Sequence, residues 1–195
     1  QDLADAVRMF LAMERQERDE CRQTNIRRAW RHAEYFFGGE TSASYQLGTG
    51  RSIQVHGRID RIDDIDDAIC VIDYKTGKSS VYVSESGGAP FHGGRRLQPA
   101  IYAHVAEQVF GKRVAHFEYR FPTRAGSNEI VRYSAHELSA AQAILERLLT
   151  FATQGAFLPT NDANDCKYCD YKTICRVQTE KHDKGAPVSP RAVWA

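Results

Sequence analysis

The sequence has little net charge and no long apolar run. Its 26 Lys and Arg residues nearly balance 25 Asp and Glu residues, which gives a formal net charge of +1. No overall positive field would therefore attract nucleic acid, and such a partner would have to bind through local patches. A run of about 18 apolar residues, the minimum for a membrane-spanning helix, is also lacking. We therefore expect no membrane partner.

The N-terminus lacks both an initiator Met and the charged-then-apolar pattern of a signal peptide. The missing Met predicts that the chain is a fragment of a longer protein. The five cysteines are an odd number, and three of them lie within the ten residues 166–175. This usage favours metal ligation in a reducing cytoplasm over a disulfide framework.

A length of 195 residues with 42% hydrophobic content predicts one domain with a sizeable core. We expect this domain to span residues 1–177. The tail, residues 178–195, is polar at first and then contains Pro187 and Pro190. It is predicted to be poorly ordered or a linker.

Hydrophobic periodicity predicts a mixed α/β fold, a mixed sheet flanked by helices. Apolar residues at three- and four-residue spacing predict a helix from residue 1 to about 36. Alternation predicts a strand over 52–63 and a second strand over 68–75, joined as a hairpin. The glycine-rich segment 84–95 is predicted to be a loop. Later elements are predicted as a helix over 96–110, strands over 114–121 and 129–133, and a helix over 136–153.

Three charged residues fall on the predicted hairpin. Asp73 and Lys75 share one face of the second strand, and Asp60 closes the strand before it. Two converging carboxylates repel each other, and a bound Mg²⁺ or Mn²⁺ would relieve this cost, with the Tyr74 carbonyl as a further ligand. Such an ion activates water for attack on a phosphate, and Lys75 would orient or deprotonate that water. The alternative is an ordinary ion pair between Asp73 and Lys75, with Asp60 solvated in a turn.

Two further candidates lie on the predicted helix that follows. Gln98 and Tyr102 are four residues apart and so project from one helix face. That face could point at Lys75, at the metal site or at the backbone of the substrate. Alternatively, Tyr102 packs in the core and Gln98 lies on the surface.

The run Cys166, Cys169 and Cys175 offers three thiolates close together, enough for most of a four-ligand metal site. Reduced cysteines without metal are the alternative. Cys70 alternates with apolar residues in a predicted strand, and we expect it to be a small core residue.

Three segments in order, GRIDRID at 57–63, VIDYKTG at 71–77 and LQPAIYA at 97–103, resemble the RecB-type branch of the PD-(D/E)XK nuclease superfamily. The match extends from Glu34 to Cys175. The resemblance implies a restriction-endonuclease-like core in which Asp60 and Asp73 bind metal, Lys75 is catalytic, and Gln98 and Tyr102 support the site. Glu34 resembles the acidic residue that precedes the core strands in this family.

The cysteine run is similar to the iron–sulfur staple of AddB-type helicase-nucleases and CRISPR adaptation nucleases. In those proteins a fourth cysteine comes from far upstream, and Cys21 is the candidate because no other upstream cysteine lies outside a predicted strand. The resemblance alone favours a [4Fe-4S] cluster over Zn²⁺, since Zn²⁺ accepts the same four thiolates. One departure is a family His upstream of Glu34, which has no clear counterpart after Gln1.

The resemblance implies a metal-dependent DNA exonuclease domain that acts on single strands or duplex ends in DNA repair or recombination. It would work as a free-standing enzyme or with a helicase subunit or domain, and no small-molecule substrate is expected. The alternative is a catalytically weak or inactive DNA-binding or scaffold module. A zinc-ribbon interaction protein is a third interpretation, but it leaves the carboxylates and Lys75 unexplained.

Overall fold

The structure, a computed structural model, describes residues 3–39, 42–83, 91–156, 166–167 and 169–171. The chain divides into two compact units, Gln1–Glu146 and Arg147–Ala195. The helices are α1 (Leu3–Thr24), α2 (Phe91–Gly94), α3 (Gln98–Phe110), α4 (Ala135–Ser139) and α5 (Ala141–Thr153). The strands are β1 (Arg28–Phe37), β2 (Ser44–Gln46), β3 (Ser52–Gln54), β4 (Gly57–Ile65), β5 (Ala68–Tyr74), β6 (Val114–Phe121) and β7 (Glu129–Ser134).

Five strands form a mixed sheet in the order β1-β4-β5-β6-β7. The pairs β1/β4, β4/β5 and β6/β7 are antiparallel, and β5/β6 is parallel. Parallel neighbours need a crossover connection, and α3 lies in the segment that joins β5 to β6. The predicted fold class, a mixed sheet flanked by helices, is confirmed. No helix in the described part of the chain is long and apolar enough to cross a membrane.

The helix predicted from residue 1 to about 36 is wrong in its last third. α1 ends at Thr24, and Asn25 takes a left-handed φ of 55°, as helix-terminating residues often do. Residues Arg28–Phe37 form β1, which pairs with β4. Four aromatic residues lie in this strand, Trp30, Tyr35, Phe36 and Phe37, and aromatic side chains favour strands. Charged residues continue from α1 into this segment, so the sequence pattern does not indicate the change from helix to strand.

The strand predicted over 52–63 is two strands with different partners. β3 pairs with β2 in a separate two-stranded sheet, and β4 starts at Gly57 between β1 and β5. Apolar and polar residues alternate in the sequence from Ser52 to Asp60, so the sequence pattern does not indicate the change of hydrogen-bonding partner. The predicted hairpin of the two site-bearing strands is confirmed as β4 and β5.

The helix predicted over 136–153 is also two helices. Ser134 caps α4 through a reciprocal pair of bonds with Glu137, and α5 begins only after Ala140, in agreement with the capping-box pattern. Residues 84–90 of the predicted loop lie outside the described residues. The end of that loop forms α2, where all four residues have positive φ. The predicted boundary after residue 177 also lies outside the described part.

The two faces of the large sheet differ in chemistry. The face toward α3 is apolar and carries a continuous core of strand and helix residues: Ile59, Ile62, Ile69, Val71, Phe117, Tyr119, Phe121, Ala100, Ala103 and Ala106. The face toward α1 carries buried charged residues, among them Asp63, Glu118 and Arg120. The candidate residues of the hairpin lie where β5 ends.

Candidate active site

Asp73 is the most buried of the predicted site residues, with 4% exposure. Its Oδ1 accepts a hydrogen bond from Gln98 Nε2 at 2.9 Å. Its Oδ2 lies 2.6 Å from Lys75 Nζ, and no other described residue donates a hydrogen bond to this buried oxygen. The contact with Lys75 is therefore an ion pair that leaves Oδ2 able to accept a further ligand.

Asp60 lies at an irregularity in β4. In a regular strand, Gly57 and Arg61 would face the same side of the sheet. Here they face opposite sides. A Cβ at Gly57 would lie 2.9 Å from the Tyr102 hydroxyl of α3, whereas the Arg61 side chain bonds to Glu14 of α1. The alternation that the sequence predicted through this strand is thus interrupted. Asp60 Oδ2 accepts the backbone N–H of Tyr74 at 2.8 Å, which brings this carboxylate to the peptide next to Asp73.

Lys75 and Asp73 are joined by one side-chain amide. Gln98, the first residue of α3, accepts from Lys75 Nζ through Oε1 at 3.3 Å while its Nε2 donates to Asp73. Lys75 is 26% exposed, and its backbone N–H donates to the Arg120 carbonyl at 2.9 Å. The structure therefore brings Asp60, Asp73, Lys75 and Gln98 together.

Tyr119 belongs to the same group, although the sequence did not mark it. It lies across from Asp73 in the β5/β6 ladder, and its hydroxyl donates to Gln98 Oε1 at 3.0 Å. Burial and the nearby charge of Asp73 raise the pKa of Tyr119 well above its ordinary value, so the hydroxyl stays protonated. Phe117, Tyr119 and Phe121 alternate like ordinary core residues, and no sequence signal separated Tyr119 from them.

The electrostatics of this group suit a bound cation. Burial raises the pKa of Asp73; Lys75 and the Gln98 amide oppose this effect, and the charge of Asp60 adds to it. Two carboxylates face one ammonium, so the group carries an excess negative charge. Hard divalent ions prefer carboxylate and carbonyl oxygens, and a buried carboxylate oxygen whose one described partner is Lys75 fits this requirement.

Tyr102 packs against the core instead of contacting the carboxylates. Its ring meets Phe37 edge to face, with centroids 5.2 Å apart. Gly57 makes room for both rings, since a Cβ there would lie 2.7 Å from Phe37 Cζ and 2.9 Å from the Tyr102 hydroxyl. The structure thus gives Tyr102 the packing role that was one alternative, and it gives Gly57 of the first motif a steric reason.

Glu34 lies on β1 between Ala33 and Tyr35, which pair with Arg61 and Ile59 on either side of Asp60. Its side chain is 57% exposed and forms a 2.9 Å ion pair with Arg58. Its backbone has a left-handed φ of 52°, which is unusual for a non-glycine residue. The irregular backbone at Glu34 coincides with the interrupted alternation at Asp60.

On the opposite face of the sheet, a buried ionic network surrounds Glu118. Arg120 Nε donates to it at 2.8 Å and Arg132 Nε at 2.9 Å, while His116 Nε2 lies 3.0 Å away. Burial alone would raise the pKa of Glu118, but the hydrogen bond to His116 and the charges of Arg120 and Arg28 hold it far below its usual range. Glu118 is therefore ionised in the fold.

Helix α1 supplies the other acids of this network. Glu14 Oε1 accepts from Arg61 at 2.8 Å and from Arg120 at 2.7 Å, and Glu17 pairs with Arg28 and Arg120. Arg61 follows Asp60 in sequence and Arg120 follows Tyr119, and their bonds to Glu14 show that both side chains lie on the α1 face, behind the site. The network attaches α1 to the strands that carry the site. Alternating charges in β6 resemble a solvated face, which is why the sequence did not reveal this buried role.

Cys70, His116 and Glu118 place one ligand atom each within 4.8 Å of one another. This group does not fit a metal ion, because Glu118 already accepts from Arg120 and Arg132 and Arg28 Nη2 lies 3.6 Å from Cys70 Sγ. Burial raises the pKa of the Cys70 thiol well above its usual value, which opposes the thiolate that metals require. The predicted burial of Cys70 is confirmed.

The other cysteines lie in two places. Cys21 is on α1 and half-buried, and burial raises its pKa. In the second unit, the backbone N–H of Cys169 donates to the Cys166 carbonyl at 3.4 Å. Cys175 lies outside the described residues.

A family model for the PD-(D/E)XK nuclease superfamily matches residues 2–176 of the chain. No curated protein matches the sequence. One similar solved structure, named SSO0001, has 19% identity and a TM-score of 0.39, with 85% of this chain and 67% of that chain covered. Another, a presumed exonuclease from Eubacterium rectale, has 18% identity and a TM-score of 0.42. The alignment covers 84% of this chain and 57% of that protein's length.

Proposed function

We propose that this chain, which belongs to the PD-(D/E)XK nuclease superfamily, is a Mg²⁺- or Mn²⁺-dependent deoxyribonuclease that hydrolyses phosphodiester bonds. The observation that carries the proposal is the buried carboxylate of Asp73, whose Oδ2 has only Lys75 Nζ, at 2.6 Å, as a partner among the described residues, with the Asp60 carboxylate held at the next peptide. Nucleases of this superfamily use divalent metals, so the superfamily and the position of Asp73 Oδ2 both support a bound divalent cation.

Asp60, Asp73 and the Tyr74 carbonyl would hold the ion. The bond from the Tyr74 N–H to Asp60 supports this assignment, because it holds the Asp60 carboxylate beside the Asp73–Tyr74 peptide. The ion would supply Lewis acidity at the phosphate and lower the pKa of a bound water. Glu34 is proposed as an acidic residue at the edge of this site, where it would act after exchanging its Arg58 partner.

Lys75 would orient the attacking water and offset the charge that grows on the phosphate. Its partial exposure lets the ammonium leave Asp73 for a substrate oxygen without a change of backbone. Gln98 would keep hold of both side chains during this exchange through its two polar atoms. Tyr102 would support the site indirectly by packing the first turns of α3 against Phe37.

The substrate is proposed to be DNA, as a single strand or a duplex end, cut in an exonucleolytic mode. The motifs of residues 57–63, 71–77 and 97–103 support the RecB-type branch. Such a domain would work in repair or recombination, alone or with a helicase subunit or domain.

A metal staple is proposed for the cysteines, with Cys166, Cys169 and Cys175 joined by Cys21 around a [4Fe-4S] cluster, or around Zn²⁺ as the alternative. The bond from the Cys169 N–H to the Cys166 carbonyl supports it, because a tight turn brings the two thiols of a C-x2-C pair toward one ion. The cluster would be structural.

Cleavage of end-labelled DNA tests the catalytic proposal. Wild type, Lys75→Ala and Asp73→Ala are compared on single-stranded and duplex DNA with Mg²⁺, Mn²⁺ or chelator. Lys112→Ala is a matched control, because Lys112 Nζ lies 2.6 Å from Asp64 Oδ1, the same distance as the Lys75–Asp73 pair. We expect a loss of at least about 100-fold for both site variants and none for the control.

Two outcomes would contradict the proposal. Equal cleavage by wild type and both site variants would mean that Asp73 and Lys75 do not catalyse the cleavage. No cleavage by the folded wild type with either metal would favour a non-catalytic DNA-binding module. Circular single-stranded DNA separates the modes, since an exonuclease leaves it intact and digests the same DNA once it is linearised.

A further inference from the structure

We propose that Tyr119 is a positioning residue that fixes the side-chain amide of Gln98, so that one amide holds Asp73 and Lys75 at the same time. The inference rests on the proposed function and deepens it. Neither the three motifs nor the superfamily match points to Tyr119, which lies in β6, beyond the last motif.

The geometry converges on a single amide oxygen. Gln98 Oε1 accepts from the Tyr119 hydroxyl at 3.0 Å and from Lys75 Nζ at 3.3 Å, and Nε2 of the same amide donates to Asp73 Oδ1 at 2.9 Å. A side-chain amide turned by half a rotation would place its N–H₂ against the ammonium and its oxygen against the carboxylate. Lys75 and Asp73 therefore select one orientation of the Gln98 amide, and in that orientation the Tyr119 hydroxyl donates to Oε1.

Tyr119 differs from the other two partners of Gln98 because it carries no charge. A divalent cation at Asp73 and a phosphate at Lys75 would both weaken the ion pair that joins those residues, and their bonds to Gln98 would change with it. The bond from the Tyr119 hydroxyl depends on neither ligand. It therefore continues to hold the Gln98 amide when a cation at Asp73 and a phosphate at Lys75 weaken the ion pair.

The aromatic surroundings hold the Tyr119 ring rigidly. Tyr119 is 1% exposed, and its ring meets Tyr82 at 4.7 Å, Phe117 at 4.9 Å and Tyr133 at 6.0 Å between centroids. Lys75 Nζ also lies 5.2 Å from the Tyr119 ring centroid, within the range of a cation–π contact. The Tyr119 ring thus contacts Lys75, one of the two residues that the Tyr119 hydroxyl positions through Gln98.

A double-mutant cycle tests the proposal by DNA cleavage with Mn²⁺. Tyr119→Phe keeps the ring and removes the hydroxyl, and we expect kcat to fall about 3- to 10-fold, the effect of one lost hydrogen bond, with KM for DNA unchanged. In the Gln98→Ala background, Tyr119→Phe should cause no further loss, because Tyr119 acts through Gln98. Tyr133→Phe is the matched control, a tyrosine of the same aromatic cluster, and it should keep wild-type kcat.

A second measurement does not depend on activity. The side-chain N–H₂ signals of Gln98, identified in ¹⁵N NMR spectra by their loss in Gln98→Ala, should be protected from hydrogen exchange in wild type and in Tyr133→Phe. Tyr119→Phe should remove this protection.

Multiplicative losses in the double mutant, or unchanged Gln98 signals in Tyr119→Phe, would overturn the inference. An inactive wild type would contradict the proposed function alone, and the Gln98 signals would then decide the role of Tyr119 by themselves.

Discussion

Asp60 Oδ2 accepts the backbone N–H of Tyr74 at 2.8 Å, so a carboxylate of β4 is bonded to the peptide that follows Asp73 in β5. A side chain that is held by a neighbouring backbone has fewer rotamers to lose when a ligand binds. Sites held in this way are preorganised. The Asp60 and Asp73 carboxylates repel each other in the metal-free protein. This repulsion should lower the free energy of unfolding by a measurable amount.

Asp73→Asn should stabilise the protein when divalent metal is removed. The folded-state pKa of Asp73 is raised, chiefly by burial, so ionised Asp73 weakens the fold above that pKa, and the penalty fades as pH falls through it. We expect Asp73→Asn to melt about 2–4 °C above wild type in chelator at neutral pH, as for a gain of about 1 kcal/mol. The difference should shrink toward pH 4, near the ordinary aspartate pKa of about 3.9. Scanning calorimetry measures it.

Adding Mg²⁺ or Mn²⁺ should reverse the order of the two proteins. A ligand that binds only the folded state stabilises it by about 1.4 kcal/mol at ten times its Kd, and Asp73→Asn lacks the charged oxygen that would bind it. A metal-induced rise in Tm of equal size in both proteins would place the ion elsewhere.

Glu118→Gln should lower the free energy of unfolding by about 1.5–3 kcal/mol at pH 7, because Arg28 and Arg120 lose one of the buried acids that they pair with. The pKa of Glu118 is strongly depressed, so its contribution is complete above the ordinary glutamate pKa of about 4.3 and is lost as pH falls below it. Wild type should therefore lose stability progressively as pH falls below about 5, and the variant should lose less. Urea unfolding at several pH values measures both curves.

Glu129→Gln is the control, since Glu129 is an exposed carboxylate on the neighbouring strand. It should follow the wild-type curve. Equal pH dependence in wild type and Glu118→Gln would mean that the buried network does not depend on this charge.

The sequence pattern brings the candidate site residues together more directly than it indicates the scaffold behind them. Asp73 and Lys75 fall on one face of an apolar strand, and that pattern needs only a correct strand assignment. Asp60 required more, because the interruption of β4 opposite Glu34 depends on pairing with β1, a strand that was predicted to be helical. Local periodicity could not reveal this long-range pairing.

The ionic network shows a second limit. Alternation in β6 gives the right faces, with Phe117 and Tyr119 on one side and Glu118 and Arg120 on the other. It cannot tell whether the charged face meets water or acidic residues of α1. That answer depends on Glu14 and Glu17, about 100 residues earlier in the chain.

Gly57→Ala should destabilise the protein, whereas Gly77→Ala should not, although both glycines belong to the motifs. A Cβ at Gly57 would lie 2.7 Å from Phe37 Cζ and 2.9 Å from the Tyr102 hydroxyl, and a Cβ at Gly77 meets nothing within 4 Å. Both rings would have to shift, at a cost of about 1–3 kcal/mol. Urea unfolding should separate the two variants, and equal midpoints would mean that Phe37 and Tyr102 repack without cost.

Cys169→Ser should lose the metal of the proposed staple, whereas Cys70→Ser should keep it. Cys70 is fully buried and its Sγ lies 3.6 Å from Arg28 Nη2, so a cation would be repelled there, while Cys169 lies in a tight turn with Cys166. Iron and zinc are measured with visible absorbance after anaerobic purification. A brown colour and iron that disappear in Cys169→Ser support the cluster, and colourless protein with zinc supports the alternative. Wild type that contains neither iron nor zinc would contradict the staple but not the carboxylate site. Asp60, Asp73 and Lys75 are held by β4, β5 and Gln98. Within the described part of the chain they contact none of these cysteines.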